Sequence, residues 1–540
     1  MNSEMVPTIR RLVTTFLILF LVLSGVAAYV QITNQVFLNG PALAQGQYDP
    51  RKCPPYDAPV RGAIYDRNGV RLAWTEQDPK AQCGYKRVYD PRVATSGLAP
   101  LMGYYSSRFG TAGVEASFND QLAGTIHGQT VQDVTDKLLH RPRHGQDVYL
   151  TIDINLQVAA SKYYDDQNSY LSSSDGSPCQ LPGTHPPGAM VVEDPNTGEI
   201  MAMVSKPSFD PNKIDDETYF KRLQADPLHP LLDRPAQGLY VPGSSFKTLT
   251  LISALDSGKA NLADQFTKDE AVNYVANGRP ITWDDYVKGE WPQLNFPITL
   301  DQGFAYSDNV IFAREATTVG ADTWLDYVSR FGILVPGKDV KPIPFDAPFS
   351  QSQAFSRKPS DFDGALLAES GFGQGELQIS PLTNAVMTSA VAANGVIHSP
   401  HVLLTAAVSG TRPQDAIASA SPTTDGTQVF SADTAAKVRQ SMWSVTDFGT
   451  AAFSPNPVSG AHLDQSPVEE GGKTGTAQLD SGFPHTWWIS LAPDDQAPGG
   501  GPAKMVVVVM KEHSGEGACQ VWVGDNTYRY AIDHHIGPYK

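Results

Sequence analysis

The stretch from Val241 to Ala260, VPGSSFKTLTLISALDSGKA, decides how this chain is read. Pro242-Gly243 breaks the backbone, and Ser244 then stands where a helix can begin. Phe246, Leu249, Ile252 and Leu255 recur at helical spacing, and Gly258 supplies a stop. The plain reading is a core helix with Ser244 as its N-cap. Lys247 allows a second reading. Positions i and i+3 share one helix face, so the two side chains meet. A serine hydroxyl attacks well only when a base takes its proton, and a desolvated lysine can be that base. The helix N-terminus favours the negative charge that develops. S-x-x-K occurs once here, but chance alone produces about one such match in a chain this long.

Two elements downstream sharpen the second reading. Lys473-Thr474-Gly475-Thr476 lies within EGGKTGTAQ, and K-T-G occurs once. Gly475 lets a substrate or a neighbouring backbone approach a strand closely. Lys473 and the hydroxyls of Thr474 and Thr476 suit a carboxylate. Alone, the segment reads as an exposed strand with a lysine. Ser307-Asp308-Asn309 is weaker, since S-x-N recurs at Ser117 and Ser454, and Ser307 alone reads as a helix cap. Its order and spacing select it: 63 residues after Ser244 and 166 before Lys473. S-x-x-K, S-D-N and K-T-G in this order form the set used by penicillin-recognising acyl-serine enzymes.

The rest of the chain sets the context. At 540 residues it has room for three to four domain-sized units. Its net charge of −17 argues against binding nucleic acid by bulk charge. Leu12 to Val30, LVTTFLILFLVLSGVAAYV, is uncharged and long enough to cross a bilayer. Arg10 and Arg11 precede it, and the next charge is Asp49, which places the N-terminus in the cytoplasm. The alternative is a cleaved signal peptide, with Ala42-Leu43-Ala44 as the site. Either way the bulk lies outside the cytoplasm. Four cysteines, Cys53, Cys83, Cys179 and Cys519, form no C-x-x-C pair. Two bridges are allowed there, in three connectivities.

Arg61 to Ala73, RGAIYDRNGVRLA, predicts a hairpin, with Ile64-Tyr65 and Val70-Arg71-Leu72 as strands about Asn68-Gly69. Tyr149, Thr151 and Ile152 suggest a strand, and Asp153 caps a helix beginning near Leu156. Ser172 to Gly188 reads as an inserted loop containing Cys179. Ala189 to Val204 gives two apolar strands around a DPNTG turn. Thr486–Leu491 and Met505–Met510 give two more buried strands. Helical stretches lie between, so one α/β or α+β domain is expected, its sheet joining the two ends of the segment.

With these motifs the chain resembles a class B penicillin-binding protein, a monofunctional peptidoglycan D,D-transpeptidase. The likeness covers nearly the whole chain and is closest to the penicillin-binding protein A type of actinobacteria. Arg61, Gly62, Ile64, Asp66, Arg67 and Gly69 match that family's R-G-x-I-x-D-R-x-G segment. Thr151, Asp153, Leu156 and Gln157 match its T-x-D-x-x-L-Q. Asp194–Asn212 and Gly371–Leu382 match two further stretches.

The resemblance implies an α/β (α+β) penicillin-binding, serine β-lactamase-like transpeptidase domain. A mainly β N-terminal pedestal and one transmembrane helix precede it. The expected layout is a cytoplasmic tail over 1–11, the membrane helix over 12–30 and a stalk over 31–50. A non-catalytic pedestal or dimerisation domain follows over 51–170, and the transpeptidase domain over 171–540. The enzyme would be a single-pass protein of the cell membrane, its catalytic domain outside the cytoplasm.

By the same resemblance, Ser244 is acylated by a stem peptide ending in D-Ala-D-Ala, and Lys247 is its base. Ser307 and Asn309 relay the proton and position the substrate. Lys473, Thr474, Gly475 and Thr476 hold the terminal carboxylate, and the Ser244 and Thr476 N–H groups form the oxyanion hole. β-Lactams acylate the same serine. No metal or cofactor is implied. A polytopic glycan polymerase is the implied partner. Cys179 is expected to pair with Cys519, and Cys53 with Cys83. Asp308 departs from the small residue many members carry, and points to altered β-lactam sensitivity.

Other readings stay open on motifs alone. A serine β-lactamase needs a deacylation base and has no use for an anchored domain. A D,D-carboxypeptidase differs only in using water as acceptor. A non-catalytic scaffold has no need of the intact set, a sensor needs a cytoplasmic output, and a bifunctional glycosyltransferase needs a larger N-terminal enzyme domain.

Overall fold

The computed structural model describes residues 60–79, 84–124, 144–166, 185–283, 294–356, 364–420, 426–452, 462–480, 482–493 and 503–540, with isolated positions besides. The chain divides into two units. One is Met1–Ala58 with Glu76–Lys86, of which little is described. Within the expected membrane run, the few described residues (among them Phe16, Leu19, Phe20 and Leu23) are helical and exposed. Among the described residues no helix is long and apolar enough to cross a membrane. The expected tail and stalk, and Cys53, Cys83 and Cys179, lie outside the described residues.

The second unit, Pro59–Thr75 with Arg87–Lys540, carries the rest. The strands used below are β1 (Ile64–Tyr65), β2 (Arg71–Gln77), β3 (Tyr85–Tyr89), β4 (Gln146–Leu150), β5 (Gly188–Asp194), β6 (Glu199–Lys206), β7 (Leu403–Val408), β8 (Gly471–Ala477), β9 (His485–Pro493) and β10 (Ala503–Lys511). Its helices are α1 (Ile154–Asp165), α2 (Lys247–Asp256), α3 (Leu300–Ala305), α4 (Asn309–Val319), α5 (Pro381–Ala392), α6 (Ala432–Asp447) and α7 (Val521–Asp533).

The valine run in β10 has no polar side to turn to water, so it takes the middle of an antiparallel sheet ordered β8-β9-β10-β5-β6. Met505 to Met510 are all fully buried. Alternation along β9 separates the two faces. Trp487 faces the turn before α2, its indole N–H donating to Val241 O at 3.0 Å. Trp488 faces α7, where a side chain at Gly524 would strike its ring. The predicted strand pair over Ala189–Val204 and both C-terminal strands are present.

The T-x-D-x-x-L-Q residues close the far edge of this sheet. Thr151 Oγ1 donates to Ile200 O at 2.7 Å, and Asp153 N to Met201 O at 2.9 Å. The Gln157 amide accepts from Met203 N at 2.7 Å and donates to Met203 O at 2.9 Å. An edge that would otherwise offer free backbone groups is thereby covered. This also corrects the predicted strand, which ends at Leu150, because Thr151 turns its hydroxyl to β6 and Ile152 O accepts from Arg67 N. Asp153 does cap the helix, which begins two residues earlier than expected, at Ile154.

The hairpin at Asn68-Gly69 is present. Asp66 Oδ1 accepts from Asn68 N and Val70 N, and Gly69 has φ +80°. Arg67 pairs with Glu199 at 3.0 Å, and Asn68 donates to Asp153 at 2.8 Å. The motif therefore joins β1 and β2 to the larger sheet. These strands form a second sheet, ordered β7-β4-β1-β2-β3. Two elements cross the expected boundary at 170/171: α1 packs on β6, and β7 joins the N-terminal sheet. The span expected to be mainly β also holds short helices, such as Gly113–Ser117 and Asn119–Leu122.

Glu115 holds this part together. It is fully buried and accepts from Arg61 Nε at 2.7 Å, Arg87 Nε at 2.6 Å and Tyr89 Oη at 3.0 Å. Burial alone would raise its carboxyl, but the two guanidinium groups outweigh burial and hold it below the usual glutamate range. A carboxyl lowered on folding stabilises above its unfolded value, and that stability is lost as pH falls through the folded value. Glu115→Ala leaves two buried cations unmatched and should cost about 3–5 kcal/mol in chemical denaturation at pH 7. The difference from the parent should shrink as the pH falls below about 4.5.

Candidate active site

The turn Gly243–Phe246 is a 3-10 helix that runs straight into α2. Ser244 lies in it, half-buried, and is not an N-cap. α2 is buried on all sides from Lys247 to Leu255, so the lysine amine has no bulk water to turn to. Its Nζ stands 2.9 Å from Ser244 Oγ, 3.0 Å from Ser307 Oγ, 2.5 Å from Ser307 O and 2.7 Å from Asn309 Oδ1. The last two can only accept. They take two amine hydrogens. A neutral amine has two, and its lone pair is then left for a hydroxyl, which is the arrangement that can take the Ser244 proton.

Ser307 and Asn309 reach this point through an unusual backbone. α3 ends, Ser307 takes φ +62°, and Asp308 caps α4 by accepting from Val310 N at 2.7 Å and Ile311 N at 3.0 Å. Positive φ costs a non-glycine residue about 1–2 kcal/mol. Here it turns both Ser307 oxygens toward Lys247. The cap is therefore Asp308, and Ser307 is left for the site. Asp308 is fully buried, and burial pushes its carboxyl up to about 7, against the pull of the α4 N–H groups and Lys247.

Lys473 enters from β8 on the other side of Ser307, donating to its Oγ at 2.9 Å. It is fully buried, unlike the lysine of an exposed strand. Burial, and the cation of Lys247, push its pKa well below the usual lysine range. The rings of Phe304 and Phe312 lie under the two amines, at 5.5 Å and 5.9 Å. Gly475 is where β8 meets the turn: a side chain there would lie 3.0 Å from both Pro242 O and Ser245 N. Thr476 Oγ1 accepts from Gly517 N at 3.2 Å. β8 ends the sheet, so its outer edge has no ladder partner among the described strands.

Ser244, Lys247, Ser307, Asn309 and Lys473 thus meet around one hydroxyl and one amine, while Thr474 and Thr476 lie further along β8, bonded to Thr450 and Gly517. Two supports lie outside the three motifs, one of them in the Gly371–Leu382 stretch matched above. Gly243 N donates to Gly373 O at 2.9 Å, and a side chain at Gly373 would overlap Gly243 O. The segment Gly371–Leu382 therefore seats the turn. Thr450 Oγ1 lies 2.7 Å from Thr474 Oγ1. Cys519, on the 3-10 segment after β10, is disulfide-bonded.

Comparison with known proteins identifies the family. Residues 188–519 match the family described as penicillin binding protein transpeptidase domain. Residues 61–148 match the penicillin binding protein A dimerisation domain. The peptidoglycan D,D-transpeptidase PbpA of Mycolicibacterium smegmatis is 28% identical over 449 residues, covering 80% of each chain. The protein of the same name from Mycobacterium tuberculosis is 28% identical over 446 residues, again covering 80% of each. A crystal structure of penicillin-binding protein A from M. tuberculosis has the same fold, with TM-score 0.71 and 24% identity over 88% of this chain and 99% of that one. A D,D-transpeptidase domain from Eggerthella lenta superposes with TM-score 0.67 and 26% identity over 88% and 99%. With the family match spanning more than half its length, the chain belongs to the penicillin-binding protein transpeptidases.

Proposed function

We propose that this chain is a peptidoglycan D,D-transpeptidase that cross-links stem peptides through an acyl-serine on Ser244. The observation that carries this reading is the convergence of Ser244, Ser307 and Asn309 on the Lys247 amine, all within 3.0 Å. Ser244 Oγ attacks the carbonyl of the penultimate D-Ala, and its proton passes to Lys247. The Ser244 and Thr476 N–H groups hold the oxyanion. Ser307, bonded to both lysines, delivers a proton to the departing D-Ala nitrogen. Lys473, Thr474 and Thr476 hold the terminal carboxylate of that leaving group. Lys247 returns the proton it took to Ser307; the amine of a neighbouring stem peptide then attacks the ester and gives its proton to Lys247, which passes it to the departing Ser244 oxygen. A β-lactam opens on the same hydroxyl and stays.

The remaining parts follow the same reading. The run over 12–30 anchors the protein with its N-terminus inside, after a tail over 1–11 and before a stalk over 31–50. The pedestal covers 51–170 and the catalytic domain 171–540. A glycan polymerase of the wall-synthesis complex is the partner, met through the anchor and pedestal. Cys519 pairs with Cys179, and Cys53 with Cys83, in keeping with the bonded state of Cys519.

Intact mass spectrometry after incubation with benzylpenicillin should show one stable adduct. Ser244→Ala should show none, and Lys247→Ala should acylate roughly 10²–10⁴-fold more slowly. Rapid loss of the adduct with hydrolysed drug would instead indicate a β-lactamase. No adduct on the parent would favour a scaffold. Non-reducing peptide mapping should recover Cys519 joined to Cys179, and recovery of Cys519 with Cys53 or Cys83 would overturn that pairing.

A further inference from the structure

α6 ends at Asp447, and the next three residues reach both the end of α3 and the strand β8. Phe448 packs on Tyr306, ring to ring, at 5.8 Å. A side chain at Gly449 would lie 2.4 Å from Ala305 O, so the backbone runs directly along the end of α3. Thr450 N donates to that same Ala305 O at 3.0 Å. Its hydroxyl lies 2.7 Å from the hydroxyl of Thr474. Thr450 is thus fixed by its backbone two residues before Ser307, and by its side chain on the K-T-G strand. No motif reading includes it.

The hydroxyl pair has a definite hydrogen count. Two hydroxyls own two hydrogens, and one is spent between them. One hydrogen is left to point away from the pair. When Thr450 donates, Thr474 is held as an acceptor from behind and keeps its own hydrogen for what lies in front. Thr476 is arranged the same way, since its oxygen accepts from Gly517 N and its hydrogen stays free. Thr474 and Thr476 lie on the same face of β8, two residues apart. Two hydroxyls, each backed by a donor, suit the two oxygens of a carboxylate.

We infer that Thr450 is a positioning residue that orients the Thr474 hydroxyl toward the substrate's terminal carboxylate. This inference rests on the transpeptidase reading above. Thr450 acts through Thr474 on binding and takes no part in the proton path through Lys247. Its loss should therefore weaken the complex that precedes acylation and leave the acylation step itself alone.

The test is the time course of acylation of the full-length protein over a range of benzylpenicillin concentrations. This separates the dissociation constant of the first complex from the limiting rate. Thr450→Val keeps the shape and removes the hydroxyl. Its dissociation constant should rise roughly tenfold, as expected for a lost hydrogen bond to a charged group, with the limiting rate within about twofold of the parent. Thr450→Ser should restore the parent value. With benzylpenicillin methyl ester, which has no carboxylate, Thr450→Val and the parent should bind alike. Thr450→Ala reads the same quantity if the valine variant does not fold. Unchanged binding of benzylpenicillin by the variants, an equal loss with the ester, or a loss confined to the limiting rate would overturn the inference. A parent that forms no adduct would overturn the transpeptidase reading and this inference together, whereas a parent that acylates while the variants bind as tightly overturns this inference alone.

Discussion

One buried amine sets the terms for the whole catalytic unit. Lys247 lies on a helix with no exposed side, so every partner it has must come from the protein. The partners come from three places in the sequence that are far apart. Ser244 is one turn away, but Ser307 and Asn309 lie 60 and 62 residues on. Lys473, 166 residues beyond Ser307, shares the same hydroxyl. For these groups to meet within 3 Å, α2, α4 and β8 must each be held against the others. Much of the surrounding structure follows from that demand.

Backbone contact supplies the precision. At Gly475 and Gly373 no side chain stands between the catalytic turn and its neighbours. The turn is gripped by main-chain atoms, whose positions vary less than those of side chains. A methyl group at either position would push the Ser244 turn away from its neighbours. The far edge of the same sheet is finished by a different device. There, Thr151, Asp153 and Gln157 stand in for a missing strand. The sheet is thus open on the side where a peptide could lie and covered on the other.

How much of this could be read from the sequence depended on where the information lay. Ser244 with Lys247 was legible because helical spacing brings i and i+3 together whatever the fold. Ser307 and Lys473 were legible by type and order, but not by any local rule. Locally, Ser307 reads as a cap, and Asp308 does that work instead, because its carboxylate reaches the first α4 N–H groups while Ser307 sits at positive φ. Gly373 was legible only as part of the Gly371–Leu382 stretch that matches the family, and Thr450 was not legible at all. Each acts through contacts with residues distant in the chain, and a lone threonine carries no periodicity. The strand β7 was missed for a similar reason: its partner β4 lies some 250 residues earlier.

That pairing has a consequence for how the molecule is made. Leu150 of β4 waits for Leu403, and Gln146 waits for Val408. At the usual synthesis rate of about 5–20 residues per second, the later strand emerges on the order of tens of seconds after the earlier one. During that interval the N-terminal sheet has an unfinished edge beside a catalytic unit that does not yet exist. The N-terminal sheet is therefore completed after β5 and β6 have been made and before β8, β9 and β10. A protein built in this order has its window of greatest exposure while the chain is still being made.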